Sequence, residues 1–538
     1  MGSAQEIALR LTPLKEVYYT HDTTFDFNPK GHRETNYVLL GIAFLILFIA
    51  GINFTNLTTS LIPLRLKTIN THRVLGCSIY KLQAISLIES IVICLISYIL
   101  ALFIVNDLSY TPIANWVDAD IRLSQYKGLI LLTALIAILT GCLAGLYPAI
   151  RSTSYAPALV LKGSFGLSPK GKKVRVALIG FQYTVSIALI IVTLFMGLQN
   201  HFMTSSEQLG FNKDQVAIVN LTPEIYAKHK PQYIQKLKDY PGIEDVAFSV
   251  YELSKEDDMI DLEHEDKDVF FKVFYASENF LSVMDIQVEE GRDFTREDLN
   301  KAQSDYIINP AAERDFHLHP GDRFNDRTVL GVSKDFRFNS CRIASSPFVF
   351  ALNNDIPNPK LVSYIRFNSK TNLQEAVAHV RETLKEIDPT FPFEISFYNT
   401  ILNNLYQKEQ TLGKLISLFG IMAILISIVG VFGLVLFETQ YRRKEIGIRK
   451  INGATTGQIL LMFNKTYIRI VSVCFIISIP IAWMGTQQWL ENFAYKTPLH
   501  LWVFIVAFLI ILSVTIGTVT FRNWQAANEN PVNSVKSE

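Results

Sequence analysis

Seven apolar runs, each roughly 20 residues long, decide most of what this chain can fold into. They lie near 36–60, 84–106, 127–150, 175–198, 412–437, 467–490 and 500–522. As a helix, a run of that length crosses the ~30 Å core of a bilayer, and a helix satisfies its own backbone donors and acceptors where no water can. Composition agrees, because only 18% of residues are charged and mean hydropathy is +0.23. Soluble domains carry about 25% charged residues. Residues 199–408, between the fourth and fifth runs, differ in kind. They alternate β-rich stretches such as Val216-Ala217-Ile218-Val219 with polar helical ones and hold most of the acidic residues. The fold class predicted is a polytopic α-helical membrane protein with an extracytoplasmic α/β domain.

The net charge of +1 hides a segregation that orients the chain. The 61–83 loop carries Arg65, Lys67, Arg73 and Lys81 without an acid. The 151–175 loop carries Arg151, Lys162, Lys170, Lys172, Lys173 and Arg175, again without an acid. The 107–126 loop has Asp107, Asp118 and Asp120 against Arg122. Basic loops face the cytoplasm, which puts the N-terminal tail and 199–408 outside. Cys94, Cys142 and Cys474 fall in spans, Cys77 in a cytoplasmic loop, and Cys341 alone in the outer domain, so no disulfide is expected there. Residues 1–35 have no apolar signal region, yet they should lie outside. The expectation is a partial copy of something longer, with Met1-Gly2-Ser3 a cloning remnant.

The chain repeats itself. RLKTINTHRVLGCS at 65–78 lies over RRKEIGIRKINGAT at 442–455 without a gap, placing Arg65 on Arg442, Lys67 on Lys444, Ile69 on Ile446, Arg73 on Lys450 and Gly76 on Gly453. The same offset carries the first span onto the fifth, and roughly the second and third onto the sixth and seventh. Pro157 and Lys162 have the spacing of Pro531 and Lys536. Two three-span units therefore occur in the same orientation.

Each copy predicts a basic helical elbow at the cytoplasmic face. In the second, a helix from Glu438 to Ile451 would place Glu438 with Arg442 and Glu445 with Arg449 at i,i+4, with cations near the C-terminal end of the dipole. Gly453 supplies a left-handed stop, and Thr455 or Thr456 caps the next helix. Gly76 and Ser78 do this in the first. A stop-transfer cluster that only fixes topology is the plainer reading, but topology needs charge alone, while both copies also keep an isoleucine and a glycine in register.

YRRKEIGIRKINGAT resembles the cytoplasmic signature of the FtsX and MacB type of ABC transporter permeases, usually RRKEIGIRKxxGA. The first copy departs from it at Thr68, Asn70 and His72, where the second has Glu445, Gly447 and Arg449. GLYPAI at 145–150, with Ala156-Pro157 and Leu161-Lys162, is similar to the end of the first unit in doubled permeases of Bacteroidetes-like bacteria. GFNKD at 210–214, EGRDF at 290–294, IINPAA at 307–312 and VLGVSKDF at 329–336 resemble the MacB-type periplasmic core domain, built of small α/β subdomains.

The resemblance implies domains at 1–35 (tail of a first periplasmic domain), 36–150 (first permease unit), 151–174 (basic linker), 175–198 (linking helix), 199–408 (periplasmic core), 409–522 (second permease unit) and 523–538 (cytoplasmic tail). It implies a separate cytoplasmic ABC ATPase that holds ATP and magnesium and docks on a coupling helix. The contacts would be Arg442, Arg443, Lys444, Glu445, Gly447, Arg449, Lys450 and Gly453, with weaker equivalents at Arg65, Lys67, His72, Arg73 and Gly76. It implies an inner-membrane permease turning ATP hydrolysis into periplasmic work, as export or efflux. The rival readings are a signalling subunit that senses envelope-active peptides or switches on a wall hydrolase, and an inactive remnant. Lipid surrounds the spans; a second permease chain or a periplasmic adaptor is a further partner open to it, and no nucleic acid is expected.

Other chemistry fits poorly. Gly166 to Lys173 misses the phosphate-loop pattern, with Lys173 where a hydroxyl must hold magnesium. The spans lack mid-membrane ionisable pairs; Glu89, near the cytoplasmic end of the second, has Lys81 or Arg65 to pair with. Pro480 should kink the sixth span. Gly141 with Gly145, and Ala423 with Ser427, have the spacing of close helix packing. His317, His319 and Asp322 read as loop residues beside Pro320-Gly321, and the run from Glu256 to Asp268 as a solvated loop. No catalytic set, metal site or bound cofactor is expected in this chain.

Overall fold

The computed structural model describes residues 13–19, 33–111, 114, 122–154, 169–205, 209–254, 260–264, 267–301, 304–324, 326–338, 340–352 and 361–528. The expectations at Pro157, Lys162, Pro531 and Lys536, and those at Glu256, Asp257 and Asp258, lie outside these, while the rest of the acidic run expected as a loop is corrected by two antiparallel strands, Ile260–His264 and one that begins at Lys267 and takes in Asp268. Internal contacts divide the chain into two compact units, 1–194 with 411–485 and 500–538, and 195–410 with 486–499.

In the first unit α1 (Arg33–Val74), α2 (Ile79–Leu108) and α3 (Lys127–Thr153) form one repeat. α4 (Pro169–Thr204) follows it. Seven helices among the described residues are long and apolar enough to cross a membrane. Their outward side chains stay apolar, as lipid contact requires: Phe103, Leu131, Ile476 and Met484 are all exposed. α3 packs on α2 through its small residues. A Cβ on Gly141 would lie 3.0 Å from the Ile91 Cα, and one on Gly145 2.5 Å from the Ser90 Cβ. Thr55 Oγ1 donates to Ala144 O (2.8 Å) and ties α1 to α3.

The second unit is built on a mixed sheet. In chain order come β1 (Val216–Leu221), α5 (Lys230–Lys238), β2 (Ile243–Ser249), β3 (Ile260–His264), β4 (Lys267–Ala276), α6 (Phe280–Met284), β5 (Val288–Gly291), β6 (Tyr306–Ile308), α7 (Pro310–Phe316), β7 (Arg323–Phe324), β8 (Arg327–Ser333), β9 (Phe348–Leu352), β10 (Leu361–Phe367), α8 (Leu373–Ile387), β11 (Ile395–Phe397) and α9 (Tyr398–Leu405). The strand order β11-β1-β10-β2-β4-β9-β6-β8-β5 is continuous. The separate small subdomains implied by the resemblance are thus one sheet, whose halves meet at the single pair Ser249 and Ala276. A shared core of Ala247, Phe274, Phe280, Phe350 and Tyr364 covers that junction and makes the halves one domain.

The motif residues of this domain hold turns. Asn309 accepts from Ala312 N (2.9 Å) as the cap of α7 and donates to Ser346 O (2.9 Å). Arg292 grips Asp298 through two bonds of 2.7 and 2.8 Å, and Thr295 N donates to the same carboxylate. The Arg292 guanidinium holds the Asp298 carboxyl well below the usual range.

The second repeat comprises α10 (Gln407–Tyr441), α11 (Arg443–Ile451), α12 (Thr456–Leu490) and α13 (Leu501–Ala527). α12 continues through Pro480. α4 packs against this repeat: Ser186 Oγ lies 2.9 Å from Ser427 Oγ, Ser427 in turn bonds Ala423 O (2.8 Å), and the Tyr183 hydroxyl accepts from Thr515 (3.0 Å).

Candidate functional site

The two elbows are not built alike. The sequence predicts the second as one helix from Glu438, but the chain breaks at Arg442 (φ −95°, ψ 13°) and α11 starts at Arg443. Acids flank the break: Arg442 pairs with Glu438 (3.2 Å) and approaches Glu445 (4.0 Å). Glu438 also accepts from the buried Tyr467 hydroxyl (3.3 Å), anchoring the break to α12. In the first repeat Leu61 and Thr68 stand at the places of Glu438 and Glu445, and α1 runs unbroken through its elbow to Val74. There Arg65 crosses to α2 and takes Glu89 with two bonds of 2.8 Å. Arg73 reaches Thr153 O (3.1 Å) at the last turn of α3, where a cation suits the dipole.

Both elbows end the same way. Gly76 (φ +88°) and Gly453 (φ +87°) are left-handed with open space around their Cα, so backbone conformation alone selects glycine. Ser78 accepts from Lys81 N (3.4 Å) to cap α2. Thr455 and Gln458 cap α12 reciprocally, Gln458 N to Thr455 Oγ1 at 3.4 Å and Thr455 N to Gln458 Oε1 at 3.1 Å.

Among the described side chains of α11, Ile448, Arg449 and Ile451 face outward, continued by Asn452 and Gly453. Arg449 is held upright by Glu445 (2.8 Å). Ile446 and Gly447 are buried, so Gly447 belongs to the packing face. Lys450 sits half-buried in the last turn, and Arg443 and Lys444 occupy the first. The first elbow exposes Thr71, His72, Val74, Leu75 and Gly76, with Lys67 on the same helix two turns earlier. Val74 is 69% and Ile451 65% exposed at equivalent positions, each the apolar tip of a basic rim. Sequence reading gives weight to the charges and passes over Ile448 and Ile451. Their i,i+3 spacing, opposite Ile446, is the available signal.

The outer domain offers two lesser features. Glu290, Glu313 and His319 bring potential ligand atoms within 4.8 Å of one another, a set open to a divalent cation, although His319 Nδ1 is already paired with Glu313 at 3.3 Å. His317 is the left-handed stop of α7 (φ 54°), and Asp322 accepts from His319 N (2.7 Å). An open cavity of about 430 Å³ is lined by Ile218, Glu252, Glu394 and Ile401.

Two segments, 40–157 and 417–531, match the model of the FtsX-like permease C-terminal domain, one in each repeat. The Macrolide export ATP-binding/permease protein MacB of Aggregatibacter actinomycetemcomitans is 24% identical over 217 residues, covering 38% of this chain and 33% of that protein. The protein of the same name from Neisseria gonorrhoeae is 25% identical over 229 residues, covering 40% of this chain and 35% of its own. The chain thus aligns with about a third of the length of these curated relatives. Among solved structures, the periplasmic region of MacB from Actinobacillus actinomycetemcomitans covers 36% of this chain and 94% of its own at 16% identity, with a TM-score of 0.27. The extracellular domain of the noncanonic ABC-type transporter YknZ from Gram-positive bacteria covers 34% and 99% at 14% identity, with a TM-score of 0.26.

Proposed function

We propose that this chain, two segments of which match the FtsX-like permease model, is an inner-membrane permease of the FtsX/MacB type with 199–408 on the periplasmic side, and that it couples ATP hydrolysis by a cytoplasmic ATPase to conformational work in the periplasm, in export or efflux. The observation that carries this reading is the outward face of α11. Ile448 and Ile451 beside Arg449 form an apolar tip with a charged rim, the composition of a helix that seats in a groove on a partner. A topology signal needs no such tip.

The parts then divide the work. Ile448, Arg449 and Ile451 meet the ATPase, and Arg442, latched to Glu438, Glu445 and α12, passes movement of α11 into the spans. ATP and magnesium belong to the ATPase. This sequence contributes docking and transmission, and the MacB relatives whose names join ATP binding to permease describe the same pairing of roles.

Co-purification tests it. A wild-type chain extracted from its native membrane should retain an ATPase, and Ile448→Asp with Arg449→Glu should lose it while the chain remains folded, because both side chains are exposed. Retention by both, or by neither, contradicts the proposal.

A further inference from the structure

The two elbows differ in how each is fastened to its own spans. In the first, α1 runs unbroken to Val74, so elbow and span are one rod. Arg65 joins that rod to Glu89 of α2 with two bonds of 2.8 Å, and Arg73 joins it to Thr153 O at the end of α3 (3.1 Å). Gln83 of α2 donates to Thr153 Oγ1 (3.0 Å) and closes the triangle of three helices. The brace takes in the elbow itself.

The second repeat closes a triangle as well, but on the span side of the break at Arg442. Glu438 accepts from Tyr467 of α12 (3.3 Å), Thr439 donates to Asn523 Oδ1 of α13 (2.8 Å), and Asn464 of α12 donates to Thr520 of α13 (2.9 Å). Thr439, Tyr467 and Asn523 are buried, so the end of α10 is a fixed point. Arg442 stays with it, paired with Glu438 (3.2 Å) and 5.8 Å from the Phe463 ring centroid of α12. Beyond the break, Glu445 approaches Arg442 (4.0 Å) and bonds Arg449 (2.8 Å), contacts that stay within the elbow. Sequence keeps the two designs apart. The offset of 377 residues that lays Arg65 on Arg442 lays Leu61, Ile62 and Leu87 on Glu438, Thr439 and Asn464, so the first repeat lacks the side chains of the second triangle. It also lays Glu89 on Thr466, so the second repeat has no acid on α12 at the place of the Arg65 partner.

We infer that the repeats are mechanically unequal: the first elbow moves only as one body with its spans, whereas α11 swings about Arg442. A helix end beside a braced segment is where a hinge absorbs a change of backbone angle. Arg442, paired on both sides of the break, is the pivot through which the swing reaches α10. A partner docked on both elbows is then anchored by the first and followed by the second. The hinge is a property of the chain alone; only its use in a stroke rests on the coupling proposed above.

Spin-label distances at equivalent places test it. With the five native cysteines replaced, nitroxides at Ile451→Cys and Ile476→Cys report the second elbow, and nitroxides at Val74→Cys and Ile99→Cys the first; all four side chains are exposed. In nanodiscs without any ATPase, the 451–476 distance distribution should be about twice as wide as the 74–99 distribution, or wider. Glu89→Thr, which unfastens the first elbow, should broaden 74–99. Equal widths, or a 74–99 width that ignores Glu89→Thr, would overturn the inference. With ATPase bound and ATP trapped, 451–476 should shift while 74–99 holds, and equal shifts would overturn it as well. If no ATPase binds, the coupling reading fails, and the widths measured on the chain alone still decide the hinge.

Discussion

Gly76 and Gly453 show what a single residue contributes to the elbows. Neither touches anything within 4 Å of a would-be Cβ, so substitution acts only through the left-handed backbone. Gly453→Ala should cost about 1 kcal/mol, and Gly453→Asn less, because asparagine tolerates that conformation. Thermal melts of the two variants would show it. In the outer domain Asp298 is the most committed carboxylate, only 3% exposed and gripped by Arg292, Thr295 and Lys301. Asp298→Asn should destabilise the segment around β5 by about 2 kcal/mol. Its folded pKa is depressed, so its contribution is complete above the unfolded value near 4 and fades as pH falls below it. The protection factors of 288–300, taken relative to intrinsic exchange at each pH, should therefore fall below about pH 4 in the wild type, whereas those of the variant should be low at every pH and lack that acid-side step. The glycine stops were legible from sequence because a basic run ending in Gly has one structural reading. The Asp298 grip was not, since six residues of separation from Arg292 carry no periodic signal.

At the scale of elements, the repeat and the spans were legible and the break between α10 and α11 was not. Charges and apolar length survive any local detail, and they placed the seven helices. The break depends on Glu438 and Glu445 flanking Arg442, two acids whose counterparts Leu61 and Thr68 are neutral. The two elbows should consequently differ in strength. The second presents two exposed isoleucines and an upright arginine; the first presents Val74 and Leu75, with Arg65 and Arg73 occupied by Glu89 and Thr153. Titrating the ATPase onto nanodiscs should give a loss of tenfold or more, about 1.4 kcal/mol, for Ile451→Asp, and a smaller loss for Val74→Asp. Equal losses would mean that the elbows are interchangeable.

Across the molecule, the junction of the outer unit is what sequence least revealed. Residues 486–499 join 195–410 through contacts that link distant stretches. Gln199 donates to Tyr495 O (3.0 Å) and accepts from Thr497 N (2.8 Å), while Arg337 lies 3.9 Å from the Tyr495 ring centroid. Arg342 bonds Glu409 (2.8 Å), and Met203, Cys341, Tyr406 and Phe493 bury one another. Burial pushes the Cys341 thiol and the Tyr406 hydroxyl up, so both stay neutral at physiological pH. Within the outer unit these contacts tie the ends of α4 and α10 and the segment between α12 and α13 to the loop before β9, and the coupling proposed above is to be read there. Hydrogen exchange across 340–346 and 486–499, with the ATPase bound and ATP trapped, tests that account most directly. It predicts that ATP changes exchange in both segments and that Ile451→Asp abolishes the change. Exchange in these segments that ignores ATP, or responds equally in the variant, would contradict it.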